Sequence, residues 1–156
     1  MAEDQVRIVQ QLYRAAAEDD LGFLELAAPD AVWMYPAIEG IGWSGRWRGR
    51  EEIARWAELH DEEDPILDLR PQEFVAQGDR VVVLGFARMR AATTGREWET
   101  EFAHAVRIRD GKIDRFEAYF DTAACMEAHG LLTAARALAS DIDRTPPSRE
   151  GEGETK

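Results

Sequence analysis

The sequence predicts one α+β domain with helices first and a curved antiparallel sheet after them. Two observations carry this. Apolar residues recur at spacings of three and four up to about His60, and at a spacing of two from Leu67 onward. The links in the second half are short turn sequences, Gly78-Asp79, Thr93 to Arg96 and Asp110-Gly111, which join neighbouring strands into an antiparallel meander. A chain of 156 residues is the size of one ordinary domain.

Taken in order, Glu3 to Asp19 is a helix whose apolar face is Val6, Val9, Leu12, Tyr13 and Ala16. Asp20 is suited to cap a short second helix carrying Leu21, Phe23, Leu24 and Ala27. Pro29-Asp30 breaks it, and a short aromatic strand follows from Ala31 to Tyr35. Pro36 to Gly49 reads as a loop holding Trp43 and Trp47, as a lid over a pocket or as a plug in its mouth. Arg50 to His60 is a third helix, with Ile53, Trp56 and Ala57 on one face. His60 to Asp64, closed by Pro65, reads as a solvated acidic loop without ligand spacing for a metal. Four strands follow: Leu69 to Gln77, Arg80 to Ala92, Glu97 to Arg109 and Lys112 to Phe120. A last helix runs from Asp121 toward Ser140, interrupted or capped near Gly130. The domain is thus placed at 1–140, with 141–156 as an acidic disordered tail.

The charge balance removes several functions. With 31 acidic and 19 basic residues the chain carries −12. It lacks the basic footprint that nucleic acid or an anionic membrane requires. No apolar run approaches the ~20 residues of a membrane span. The start, MAEDQVRIVQQ, lacks the basic-then-apolar pattern of a secretory signal. The single cysteine, Cys125, has no internal partner, so a cytoplasmic location is expected. There is no Gly-x-Ser-x-Gly, Walker or dinucleotide motif, so no cofactor and no metal are expected.

Strand parity assigns the faces. A four-residue loop at Thr93 to Arg96 places Arg90 opposite Glu99 and Arg88 opposite Glu101, a charged outer face. Val83, Gly85, Ala87, Met89, Trp98, Thr100, Phe102, His104, Val106 and Ile108 then point inward. For the next hairpin, a two-residue loop would set His104 opposite Glu117, and a three-residue loop would set it opposite Phe116. The apolar set Phe116, Ala118 and Phe120 favours the three-residue loop, because a one-residue slip buries Arg115 and Glu117. The inward wall is therefore aromatic, with one histidine in its middle.

Five features in this order resemble the nuclear-transport-factor-2-like superfamily, which includes ketosteroid isomerase and the SnoaL-like polyketide cyclases. They are Tyr13 in the first helix, Asp30-Ala31-Val32-Trp33, Gly49-Arg50-Glu51-Glu52-Ile53, Gly78 to Val83, and Arg107 to Ile113 followed by Tyr119-Phe120-Asp121. The resemblance implies a cone: a strongly curved sheet wrapped around helices, with a deep pocket. It also implies a homodimer through the outer sheet face, near Arg88, Arg90, Glu99 and Glu101. Tyr13 matches the oxyanion tyrosine of ketosteroid isomerase, His104 stands where that enzyme has an acid, and Tyr35 replaces its base carboxylate. The catalytic set of limonene-epoxide hydrolase is replaced by Gly85, Ala87 and Ala118. Asp121 matches the acid–base aspartate of the cyclases.

The resemblance thus implies His104, Asp121 and Tyr13 as catalytic candidates. His104 would shuttle a proton near neutral pH, while Asp121 would be a general acid–base group or a helix cap. Trp33, Tyr35, Trp56, Phe74, Phe102, Phe116 and Phe120 are candidate walls for a small, flat, apolar ligand. Two functions stand open: a proton-transfer enzyme (isomerase, cyclase or dehydratase) on a carbonyl compound, and a non-catalytic binding or interaction module.

Overall fold

The computed structural model describes residues 2–18 and 21–132. Asp20, the stretch toward Ser140 and the tail from Asp141 lie outside the described residues. Helix α1 (Ala2–Ala17) buries Val9, Leu12 and Tyr13, the face its periodicity predicts. A 3₁₀ turn (Leu21–Leu26) seats Phe23. Strand β1 (Ala27–Met34) begins earlier than expected, ahead of Pro29-Asp30. Those two residues fall in the irregular stretch between Ala27 and Val32 where its ladder is interrupted. A proline there gives up no ladder hydrogen bond. Within the expected loop, a short strand β2 (Arg46–Arg48) pairs back on Val32 to Met34. Helix α2 (Gly49–Glu63) runs one turn past its expected end. Then come β3 (Ile66–Gln77), β4 (Arg80–Arg90), β5 (Glu97–Arg109), β6 (Lys112–Phe120) and helix α3 (Thr122–Ala128).

The six strands form one sheet in the order β2-β1-β6-β5-β4-β3. All neighbours are antiparallel except β1 and β6, which run parallel. The curved sheet holds the N-terminal helices on its concave side, so its inward residues and the apolar faces of α1 and α2 make one core.

Both hairpin registers differ from expectation by two residues, which preserves the faces and changes the partners. In the first, Arg90 opposes Glu97 and Arg88 opposes Glu99. The closing bond runs from Ala91 N–H to the Arg96 carbonyl at 2.8 Å, leaving Ala92 to Gly95 as the loop. Glu97 receives both arginines, at 3.2 Å from Arg88 and 3.0 Å from Arg90. Acids at 97, 99 and 101 repeat with the strand period, so opposite-charge matching holds in either register.

In the second hairpin, His104 opposes Ala118 and Phe102 opposes Phe120. The turn is the two-residue Asp110-Gly111, both with positive φ (50° and 74°), as the twist-matched hairpin turn requires. A bulge between Arg107 and Ile108 then shifts the register by one. The bulge sets Asp114 beside Arg107 in a two-pronged contact, 2.9 Å on each prong. That contact offsets the repulsion of Arg107 and Arg115, which face each other across the ladder. A bulge restores the apolar alternation that the turn alone would have inverted.

Gly85 is fixed by close approach. A β-carbon there would collide with the Arg70 carbonyl and with the Phe102 ring. The glycine lets bulged strand β3 close over β4 at Pro71 and lets Phe102 lie flat inside the sheet.

Candidate functional site

A cavity of about 700 Å³ opens between α1, α2 and the concave face of the sheet, a size suited to a small organic molecule. Of the predicted walls, Trp33, Tyr35, Trp56, Phe102, Phe116 and Phe120 line it. Phe74 does not. It sits under α1 and meets the Tyr13 ring edge-on at 6.1 Å, backing the tyrosine rather than facing the cavity.

Tyr13 and His104 are brought together. α1 lays Tyr13 across the sheet, and β5 projects His104 inward between Phe102 and Val106. The Tyr13 hydroxyl lies 2.6 Å from His104 Nδ1. With the hydroxyl donating, the imidazole carries its own proton on Nε2. The Phe102 ring stacks on the imidazole at 4.1 Å, and Phe116 closes in at 4.8 Å. These apolar rings disfavour charge: burial lowers the His104 pKa to about 3 and pushes the Tyr13 phenol well above its ordinary value. The pair is therefore a neutral imidazole and a neutral phenol at pH 7.

Asp121 is separated from them. Its carboxylate accepts from the Ala124 N–H at 3.0 Å and caps α3, and it is exposed and absent from the cavity lining. Its backbone N–H donates to the hydroxyl of Thr100, which does line the cavity.

Three residues outside the predicted walls and catalytic set belong to this region: Trp43, left open as lid or plug, and His60 and Asp64, read as a solvated loop. Trp43 is buried at 1% exposure, the plug rather than the lid. His60 packs between Trp43 (4.7 Å) and Trp56 (5.6 Å). Burial lowers the His60 pKa to about 4, partly opposed by the Asp64 carboxylate. Asp64 is at 0% exposure and joins three elements. Its oxygens accept from Trp43 Nε1 at 2.7 Å and Trp98 Nε1 at 2.8 Å, and His129 Nε2 lies 2.7 Å away. The expected solvated loop is thus wrong: its residues through Glu63 continue helix α2, and both ends, His60 and Asp64, are buried. A signal was present: Ile53, Trp56, His60 and Asp64 continue one helical stripe at spacings of three and four.

Donor atoms of Asp64, Cys125 and His129 all lie within 4.8 Å of one another. Both carboxylate oxygens already accept indole protons, and the histidine contact is at direct hydrogen-bond distance. Ligand atoms around tetrahedral zinc lie about 3.3–3.6 Å apart for such a set, short of the 4.8 Å to which these donors spread. Burial also raises the Cys125 pKa to about 12, holding it as the thiol. The cluster is a packed hydrogen-bond network rather than a coordination sphere.

The mouth carries Glu58, Asp61 and Asp68 beside Leu21, Ile66 and Leu67, and among the described residues no lysine or arginine lines it. The two interior histidines make stability depend on pH. Their folded pKa values lie below the ordinary 6.5, so the unfolded chain binds more protons between about pH 6.5 and 4. Stability should fall through that window as pH drops, by up to about 1.4 kcal/mol per pH unit for each histidine. Urea unfolding at pH 7, 6 and 5 measures this; His104→Gln should reduce the slope, and an unchanged slope would contradict the burial of a neutral imidazole.

Comparison with known proteins agrees with this architecture. A family model described as a SnoaL-like domain matches residues 9–116. An NTF2-like protein from Burkholderia xenovorans LB400 is 32% identical, covering 83% of this chain and 98% of that one, with a TM-score of 0.75. TerC, co-crystallized with polyporic acid, is 29% identical over 81% of this chain and 98% of its own, with a TM-score of 0.74. A putative isomerase from Bacillus subtilis shares the fold at 20% identity, 83% and 94% coverage, and a TM-score of 0.71. A search of curated protein sequences finds no match. With the family model spanning more than half of the chain and the curved sheet enclosing the expected pocket, the protein belongs to the SnoaL-like domain family.

Proposed function

We propose that the protein catalyses proton transfer on a small, largely apolar carbonyl compound, as an isomerase, cyclase or dehydratase. The observation that carries this reading is the Tyr13–His104 pair facing an aromatic cavity. The Tyr13 hydroxyl donates to His104 Nδ1. A bound carbonyl oxygen competes for that hydroxyl and draws it away, which frees the Nδ1 lone pair. His104 then takes a proton from the carbon next to the carbonyl. The C–H electron pair moves to the oxygen, and Tyr13 holds the resulting enolate. Returning the proton to a different carbon completes an isomerisation, while attack of the enolate carbon on a second carbonyl closes a ring, and the alkoxide so formed takes the proton back from His104. The low basicity of His104 in the dry cavity is offset in this step, because the imidazolium forms beside the enolate it creates.

The test is turnover of a panel of enolisable ketones by His104→Ala and His104→Gln proteins. A loss of about 10²–10⁴-fold is expected for the alanine variant. Unchanged turnover in both removes His104 from the chemistry.

A second reading, a non-catalytic small-molecule binder, has its own support: among the described residues no interior carboxylate lines the cavity beside His104, and the acids of the lining are Glu58, Asp61 and Asp68. The co-crystallization of the relative TerC with polyporic acid fits either reading. Tryptophan fluorescence titration with apolar ketones, followed by product analysis, separates the two. Saturable binding without product over long incubation favours the binder.

A further inference from the structure

A polar atom that faces a cavity without a partner marks where a polar group of the ligand belongs, because left alone it forfeits a hydrogen bond. Tyr13 and His104 satisfy each other. Tyr35 and His60 do not. Among the described residues, neither the Tyr35 hydroxyl nor a ring nitrogen of His60 has a hydrogen-bond partner. These atoms also keep accessible surface, unlike the unpaired Gln5 Oε1 and Trp56 Nε1, which are fully covered. Both residues line the cavity, so that surface looks into it. Tyr35 is half-buried, and His60 is 9% exposed between the rings of Trp43 and Trp56. The Tyr35 and His60 rings are neighbours, with centroids 6.5 Å apart.

The sheet sets this pair apart from the first. Strand β6 lies between β1 and β5. His104 opposes Ala118, and Met34 opposes Glu117, so Tyr35 continues the row of Ala118 and His104. Two strand spacings, about 10 Å, separate Tyr35 from His104 along that row. The Phe116 ring adjoins both, 4.8 Å from His104 and 6.0 Å from Tyr35. Burial keeps the second pair uncharged. It lowers the His60 pKa to about 4 and raises that of Tyr35 well above its ordinary value, with the nearby Tyr13 phenol adding to the rise. A neutral imidazole has one N–H and one lone pair, and a phenol offers both functions. Together they can satisfy a hydroxyl group, which donates and accepts. The three carboxylates at the mouth, with no lysine or arginine in the lining among the described residues, disfavour an anion. We infer that Tyr35 and His60 form a second polar subsite that takes a hydroxyl group of the ligand. The subsite extends the proton-transfer reading of the same cavity, on which its substrate class rests: an uncharged, flat ring ketone whose hydroxyl lies at the opposite end from the carbonyl that Tyr13 would hold. A ketone of the same shape without the hydroxyl leaves the subsite unpaired and binds less well.

The probes are 2-tetralone and 6-hydroxy-2-tetralone, which differ by a hydroxyl at the end of the bicycle far from the carbonyl. In ordinary water any exchange of protons next to the carbonyl returns the same ketone, so binding is measured whether or not the protein catalyses. The full-length protein has three histidines. A long-range ¹H–¹⁵N spectrum reports their ring nitrogens, with His60 assigned by its proximity to the Trp43 and Trp56 rings. The expected result is that the His60 nitrogens move with 6-hydroxy-2-tetralone and stay in place with 2-tetralone. In titrations of the same samples, the hydroxylated ketone should bind roughly tenfold more tightly, about 1.4 kcal/mol. Tyr35→Phe, which keeps the ring and its packing, should reduce that preference, and combining it with His60→Phe should erase it. His60 nitrogens unmoved at saturation, equal affinities, a preference undiminished in Tyr35→Phe, or no binding of either ketone would overturn the inference. A His60 response in a protein that exchanges no ketone hydrogen in D₂O sinks the enzyme reading alone. Exchange without a His60 response sinks this inference alone.

Discussion

Asp64→Asn should lower the thermal midpoint by about 10 °C, while Asp61→Asn, one turn of chain away and exposed, should leave it within a degree or two. Asp64 is fully buried and accepts on both oxygens, from Trp98 on one and from Trp43 and His129 on the other. Asparagine keeps one acceptor oxygen and replaces the other with an NH₂ donor. Whichever way the amide is turned, a donor then faces an indole N–H, and at least one buried indole loses its partner. Breaking a buried charge-assisted network by removing one partner costs about 3 kcal/mol or more. For a domain of this size each kcal/mol is about 3–4 °C. The loss should also reach the pocket, since Trp43 is both an Asp64 donor and a cavity wall. Differential scanning calorimetry gives the midpoint. A variant within 2 °C of the wild type would mean that the network contributes little to stability.

Asp64 also marks where the sequence stops being legible. Strand parity found the inner face of the sheet: Val83, Ala87, Met89, Trp98, Phe102, Val106, Phe116 and Ala118 are all buried. Parity survived two register errors because both were shifts of two residues, which no alternation of apolar and polar side chains detects. The bulge at Asp114 left no trace in composition, since it takes one residue from an otherwise regular strand. Charge was the misleading signal for Asp64. Four charged residues in five, between His60 and Asp64, look solvated, yet the helical stripe carries the last of them into the core. Tyr13 and His104 were legible as separate inward residues on different elements, and their contact across 91 positions of sequence needed the fold. The placement of Asp121 followed from local chemistry: an aspartate before a helix finds the free N–H groups of the first turn three residues ahead, and the cap won over the pocket.

Tyr13→Phe should reduce turnover about 10²–10³-fold and leave KM within a few-fold. The substitution keeps the ring and its packing against Phe74 and Phe102, so ground-state binding of an apolar ligand changes little. It removes the hydroxyl that would meet negative charge developing on the carbonyl oxygen. The hydroxyl is un-ionised at any working pH, because burial holds its pKa far above the usual range, so the loss should be the same from pH 6 to 8. A change confined to KM would assign Tyr13 to binding alone.

The most direct measurement follows the hydrogens themselves. In D₂O, ¹H NMR of 2-tetralone reports loss of the protons next to its carbonyl. Wild-type protein should accelerate that loss well above the buffer rate, Tyr13→Phe should slow it by the same factor as turnover, and His104→Ala should return it close to background. If 2-tetralone quenches tryptophan fluorescence saturably and the wild-type protein exchanges no hydrogen faster than buffer, the proton-transfer account is wrong and the cavity is a binding site.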